Sequence, residues 1–242
     1  MSRRTLTEDA IDAPKTVGLH RRGMARGLAR WALRWTGWFA ARVLLLMAAL
    51  VAFYGLVNPP TTLTIAREAV EPRRWTPIEQ IAPAMTRAVV AAEDANFCTH
   101  WGFDMAEIRK VIAAGSSGGA STLTQQTAKN VYLWQGRSWP RKLLETAFTP
   151  MIEALWSKRR ILEVYLNVAE FGPGVFGIEA AARHHFGTTP DALSTAQAAR
   201  LAAVLPAPKS RLPQASRRSA AIADGAATIA RDGRASCFGG AS

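Results

Sequence analysis

Residues Ala91–Asp104 read AAEDANFCTHWGFD, and the rest of the chain is understood through them. Two adjacent carboxylates, Glu93 and Asp94, a histidine, His100, and a third carboxylate, Asp104, stand among Phe97, Trp101 and Phe103. Apolar rings are costly neighbours for ionisable groups, because burial without partners disfavours the charged form. The same pattern also fits acids that merely cap helices and rings that merely anchor a core, since structural networks perturb acids too. Spacing alone leaves a functional site and a structural network evenly balanced.

Outward from this stretch the apolar positions recur at helical spacing. Met85, Ala88, Val89 and Ala92 predict a helix from Pro77 or Ile78 to Asp94, delivering Glu93 at its C-terminal end. Asp104 and Glu107 have capping-box spacing for a helix ending near Gly115. The glycine-rich run Ser116–Thr122 predicts a flexible hinge before a helix STLTQQTAKNVYLW. Along that helix Thr122, Gln125, Gln126 and Lys129 form one polar stripe. Paired glutamines among threonines and a lysine suit ligand hydrogen bonding better than a generic solvated face.

Ser138 and Pro140 open RKLLETAFTPMIEALW, where Arg141 and Glu145 lie one turn apart with Lys142 on the same face, and Pro150 predicts a kink or break. Taken alone, such a pair is a surface salt bridge worth about 0.3–0.5 kcal/mol. Ser157 caps a core helix carrying Ile161, Leu162, Tyr165 and Leu166. The turn Phe171-Gly172-Pro173-Gly174 precedes a helix from Ile178 to Phe186, closed by Gly187. Ser194 and Gln197 open a last clear helix that stops at Pro206 and Pro208, with one more expected near Ala220 to Ala230. The fold class is mainly α, without internal repeats.

The net charge of the 242 residues is +12, which suits an anionic membrane, a phosphate-bearing substrate or nucleic acid. Half of that excess lies before Val43, where nine basic residues face only Glu8, Asp9 and Asp12. Residues 1 to 30 show no apolar periodicity and are expected to be a disordered basic arm. Val43–Val57, VLLLMAALVAFYGLV, carries no charge. Extended back towards Trp38, it reaches the length of about twenty residues that spans a bilayer. Trp31, Trp35 and Trp38 form an aromatic belt before it, and Asn58-Pro59-Pro60 ends it. The basic side places the N-terminus in the cytoplasm and everything after Pro60 outside, in the periplasm of a two-membrane cell. The expected organisation is a basic cytoplasmic arm (1–34), a transmembrane helix (35–58), a linker or extended stalk (59–76), a folded domain (77–213) and a tail (214–242). Cys98 and Cys237 have no metal-site spacing. They are expected as two free thiols, with a disulfide as the alternative.

Five segments, EDANFCTHWGFD, GASTLTQQTAKN, RKLLE, ILEVYLNVAEFGPGVFGIEAAARHHFG and AARLAAVLPAPKSRLP, resemble in order and kind the five motifs of the peptidoglycan glycosyltransferases. The resemblance covers Pro77 to Pro213 and is closest to the monofunctional members, since no S-x-x-K or K-T-G transpeptidase motif is present. It implies a lysozyme-like, two-lobed glycosyltransferase domain behind one N-terminal transmembrane helix. Its implied activity is the polymerisation of lipid II into β-1,4 glycan with release of undecaprenyl diphosphate. By the same resemblance Glu93 is the general base and Glu145 the second catalytic carboxylate. Asp94, Phe97 and His100 shape the acceptor side, and Ser121, Thr122, Gln125 and Gln126 line the groove. Lys129, Arg141 and Lys142 meet the leaving pyrophosphate. A divalent cation such as Mg²⁺ is an expected helper there, although no dedicated cage is evident. Expected partners are lipid II, the growing lipid-linked glycan, the inner membrane and other wall-synthesis proteins, but no nucleic acid.

Only sixteen residues separate Asp104 from Ser121, a shorter connection than the family usually has between its first two motifs. A lytic enzyme of lysozyme-like fold is the rival within the same fold, and a non-catalytic membrane scaffold is the rival outside it. The lytic reading leaves the paired glutamines and the cations without a purpose, since neutral glycan offers no pyrophosphate.

Overall fold

The computed structural model describes residues 17–115, 119–136 and 138–239. The predicted hinge residues Ser116, Ser117 and Gly118, and the first part of the basic arm, lie outside them. The chain divides into two units, Met1–Met47 and Ala48–Ser242, and the boundary falls inside the first helix, α1 (Val17–Leu56). Within α1, Arg30–Leu56 is long and apolar enough to cross a membrane. The helix begins well before the predicted span, so residues 17–30 are helical and not disordered. Arginine, leucine, alanine and methionine are good helix formers, and extending an existing helix needs no new nucleus.

The second unit is helical except for one small hairpin, β1 (Glu170–Gly172) and β2 (Val175–Phe176), paired antiparallel. The expected stalk is not extended: Thr62 caps a short helix, α2 (Leu63–Glu68), which buries Thr64 and Ile65. The predicted helix from Pro77 is broken into a 3-10 turn, Ile78–Gln80, and α3 (Pro83–Glu93). Pro83 explains the break, because the residue before a proline is driven out of the α region, and Ala82 sits at ψ 130°. α4 (Met105–Ala113) starts at Asp104, whose carboxylate accepts from the amides of Ala106 and Glu107. α5 (Leu123–Tyr132) starts at Thr122 with a full capping box. α6 (Trp139–Leu155) runs unbroken through Pro150. Proline removes one backbone donor, and the surrounding turns, anchored by buried Phe148, Thr149 and Ile152, hold the helix across the gap.

Two helical clusters result. α3 packs with α9 (Thr195–Val204) and α10 (Arg217–Arg231), and α5 packs with α6 and α7 (Lys158–Val168). α10 is longer than the helix expected near Ala220 to Ala230, and it buries Ser219, Ile222, Ala226 and Ile229. α8 (Ile178–Phe186) rests on the hairpin. Gly177, between hairpin and α8, takes φ +84°, and a Cβ there would come within 2.9 Å of the Asn167 carbonyl oxygen. Only glycine satisfies both demands without strain.

The two cysteines are joined. Cys98 and Cys237, 139 residues apart, form a disulfide, against the expectation of free thiols. Sequence spacing was silent about the pairing because α10 brings the tail back to the loop after α3, a contact with no local signature.

The last turns of α1 belong to the folded body. Val51 is fully buried, its carbonyl accepts from the Trp156 indole at 2.7 Å, and Gly55 lies against the same ring. Arg160 donates to the carbonyls of Tyr54 and Val57, satisfying the end of the helix. Trp156→Ala opens a cavity at this junction and should cost about 3–5 kcal/mol of stability, measured as a lowered denaturation midpoint in detergent.

Candidate active site

The two clusters meet across a cleft of about 700 Å³. Glu93 enters it from the end of α3; Gln126 and Lys129 enter from α5; Arg141, Lys142 and Glu145 enter from α6. The residues expected from three separate motifs are therefore on one cavity. Smaller hollows continue it on either side. One of about 250 Å³ runs past Glu93, Asp94, Ser121 and Thr122. The other, of about 370 Å³, runs past Gln126, Lys129, Tyr165 and Lys209.

Glu93 sits in a polarised, mostly dry position. Its Oε2 accepts from the Gln126 amide at 2.9 Å, and Gln126 Oε1 in turn accepts from the Tyr165 hydroxyl at 3.1 Å. The amide thus faces the carboxylate with its donor end. Oε1 of Glu93 is buried without a hydrogen-bond partner among the described residues; the nearest cation is the Arg218 guanidinium at 3.8 Å. Burial pushes the Glu93 carboxyl above the usual carboxylate range, against the pull of the Gln126 hydrogen bond and of the charges on Arg218, Lys129 and Arg211. Tyr165, fully buried, is held neutral far above the usual phenol range. It remains a hydrogen-bond donor wherever Glu93 titrates.

The opposite wall is cationic. Glu145 takes Arg141 on Oε2 at 2.8 Å and Lys142 on Oε1, so both its oxygens are committed to orienting cations. Lys129 is buried, which lowers its pKa, while Glu145 and Glu93 pull it back up. Lys142 is partly exposed, whereas Arg141 and Lys129 stand where water screens weakly and act more strongly on any anion that enters. The same wall does not suit a resident divalent cation. Both oxygens of the nearest carboxylate are taken by cations, and no cluster of three His, Cys, Asp or Glu occurs among the described residues.

Several expected residues hold the frame of the site, and of these Asp94 and Thr122 also border the hollow beside Glu93. Phe97 is fully buried, as a core anchor. Asp94 accepts from His100 at 2.8 Å and from the Leu123 amide at 3.0 Å, tying the loop after α3 to the start of α5. Gln125 is buried with its side chain returned to the Thr122 amide as half of the capping box. Thr122 also donates to the Gly102 carbonyl at 2.7 Å. Sequence reasoning missed Arg218, Arg211 and Tyr165 as neighbours of Glu93. Tyr165 carried the reading of a core residue, and the two arginines lie in a segment of ordinary basic composition, so no local pattern marked them.

Gln126→Leu removes the strongest pull toward the ionised form of Glu93. The Glu93 titration midpoint, followed by carbon-13 NMR of labelled side chains, should move further upward; Arg218→Ala should move it in the same direction.

The transglycosylase family model matches residues 61–231, reaching α2 at one end and the whole of α10 at the other. A biosynthetic peptidoglycan transglycosylase of Jannaschia sp. (strain CCS1) is 52% identical over 224 residues, covering 89% of this chain and 92% of its own. One from Pseudomonas entomophila (strain L48) is 50% identical over 208 residues, covering 80% and 86%. One from Caulobacter vibrioides is 46% identical over 200 residues, covering 77% and 87%. With a family match across most of its length, and relatives at about half identity over most of theirs, this chain belongs to the transglycosylase family.

Proposed function

We propose that this chain is a membrane-anchored peptidoglycan glycosyltransferase that polymerises lipid II, with Glu93 as general base and the α6 cations as the leaving-group site. The observation that carries the reading is the cleft itself, with a carboxylate oxygen that has no hydrogen-bond partner among the described residues on one wall and three cations on the other, two of them fixed by Glu145. A lytic enzyme needs a groove carboxylate too, but has no use for the cationic wall.

The roles follow from the atoms. The acceptor sugar's 4-hydroxyl attacks the anomeric carbon of the lipid-linked donor. As that bond forms, the hydroxyl proton passes to Glu93 Oε1, the oxygen that Gln126 leaves free. The bond from the anomeric carbon to the pyrophosphate oxygen breaks with inversion, giving a β-1,4 linkage and undecaprenyl diphosphate. The pyrophosphate leaves as an anion and needs positive charge, not a proton; Lys129, Arg141 and Lys142 supply it. Glu145 fixes two of those cations and touches the substrate only through them. Ser121 and Thr122 border the hollow beside Glu93 and belong to the acceptor side, where Asp94, His100, Phe97 and Gln125 hold the frame. No step is assigned to a metal.

The anchor fits this chemistry, because substrate and product are both lipid-linked and a tether raises their effective concentration. We place the helix in the inner membrane with the N-terminus cytoplasmic and the catalytic domain periplasmic. The basic arm supports that orientation, and the disulfide suits an oxidising compartment. Other wall-synthesis proteins are the expected partners at that surface.

Labelled lipid II should be converted by the purified protein to glycan polymer. Shortening of preformed glycan with no polymer formed would overturn the reading. Glu93→Gln should reduce polymerisation at least about a hundredfold, while leaving the protein no less stable at neutral pH, because an amide avoids the cost of a buried charge. Lys129→Met should also abolish most turnover. The rate should rise with pH through the elevated Glu93 pKa, since only the carboxylate accepts the proton. A C-terminal reporter should be active in the periplasm and silent in the cytoplasm.

A further inference from the structure

The tail beyond α10 is fastened to the loop that follows Glu93 by three separate contacts and to α7 by a fourth. Cys237 is bonded to Cys98. Phe238 is buried against Phe97, ring centroids 6.3 Å apart. Arg234 donates to the Ala95 carbonyl at 3.2 Å, and Arg159 of α7 donates to the Phe238 carbonyl at 3.0 Å. Ala95 is two residues beyond Glu93, and Phe97 sits between Asp94 and His100, the pair that ties this loop to α5.

The same helix touches Glu93 from its other end. α10 carries Arg218 to 3.8 Å from Glu93 Oε1, and Gly225 brings it so close to α3 that a Cβ there would lie 3.2 Å from the Ala91 side chain. α10 is therefore held at its beginning by a long ion pair, along its length by Ile222, Ala226 and Ile229 packed with α3 and α9, and at its end by a covalent bond. An ion pair at that distance with a half-exposed arginine is weak. The disulfide is the covalent attachment, and it lies on the loop that carries on from Glu93.

We propose that the Cys98–Cys237 disulfide is a redox-controlled positioning device for Glu93, holding α10 and its Arg218 against the end of α3 so that glycan transfer depends on an oxidising surrounding. The proposal rests on Glu93 acting as the base, as proposed above. Reduction by a dithiol breaks one S–S bond, gives two cysteine thiols and converts the dithiol to its own disulfide, so electrons and protons balance. Released from Cys98, the tail and α10 keep only their noncovalent contacts, and Arg218 is held near the carboxylate by packing alone.

The groups that face Glu93 are Gln126 and Lys129 from α5, Tyr165 from α7, Arg211 from the segment after α9 and Arg218 from α10. Asp94 and His100 occupy its own loop, paired with each other. Of these, Arg218 is the cation whose placement depends on α10. Loosening it withdraws positive charge from Glu93, so the carboxylate protonates more readily and the acid limb of the pH profile moves to higher pH. A disulfide that only stabilises the fold would not move that limb.

The test uses the full-length protein in detergent micelles with lipid II, before and after treatment with dithiothreitol, with circular dichroism to follow folding. The reduced protein should stay folded, polymerise several-fold more slowly with its acid limb at higher pH, and recover on reoxidation. A Cys98→Ser/Cys237→Ser variant should remain in the slow state whatever the dithiol. Oxidised Arg218→Ala should show the same shifted limb, and its reduction should add no further shift. Superimposable rates and profiles in the two redox states would overturn the proposal, as would a further equal shift on reducing Arg218→Ala. Unfolding of the reduced protein and the double variant would overturn it too, because the bond would then hold the fold and not the carboxylate. Polymerisation indifferent to the dithiol removes this proposal alone, whereas an oxidised chain that makes no polymer removes the functional reading with it.

Discussion

A carboxylate kept away from water must be compensated at each oxygen or held partly protonated, and Glu93 is compensated at one oxygen only. Much of the domain's construction serves this arrangement. Tyr165 is buried in α7 so that its hydroxyl stays neutral and orients the Gln126 amide. α5 is started by the Thr122 capping box, which fixes where Gln126 and Lys129 emerge. Asp94 spends its two oxygens on His100 and the first amide of that helix, so the residue beside the base is a bracket between lobes. The uncompensated oxygen is buried beside the cleft that Glu93 lines.

The cationic wall obeys the complementary rule. A carboxylate between two cations neutralises part of their charge, yet it also fixes their positions before any anion arrives. Glu145 does this for Arg141 and Lys142, leaving Lys129 with no direct carboxylate partner among the described residues and, through burial, harder to keep charged. The two walls have different kinds of support, hydrogen bonding for the Glu93 carboxylate and ion pairing for the α6 cations. That difference explains why their supporting residues look so unlike in sequence.

Legibility followed the range of the interactions involved. Helix starts at Asp104, Ser138, Ser157 and Ser194 were readable because capping is a contact over two or three residues, whereas Thr122, read as part of its helix, is the cap. The break at Pro83 was equally local and readable in principle, since a proline restricts its predecessor. Glu93, Lys129 and Glu145 could be named from motifs, but composition and periodicity could not bring them to one cavity. Nothing local announced Arg218, the Cys98–Cys237 bond or the packing of α2, because each depends on segments distant in the chain. Gln125 shows the opposite error: a polar residue on the expected stripe is consumed by its own helix cap, and only the hydrogen-bond partner reveals it.

The junction at Trp156 and Arg160 changes where the enzyme begins. The folded unit starts at Ala48, inside α1, and the buried Val51 and the close approach of Gly55 to the Trp156 ring make those helical turns part of the domain's interior. The proline pair after Asn58 looks like a natural place to separate anchor from catalyst. A cut there would leave the indole of Trp156 without its acceptor and Arg160 without two of its carbonyls. The anchor therefore has two occupations along one helix: its first part is a lipid-soluble stem, and its last turns are a structural insert, so a water-soluble form of this enzyme is obtained by replacing apolar surface along the stem and not by removing the helix.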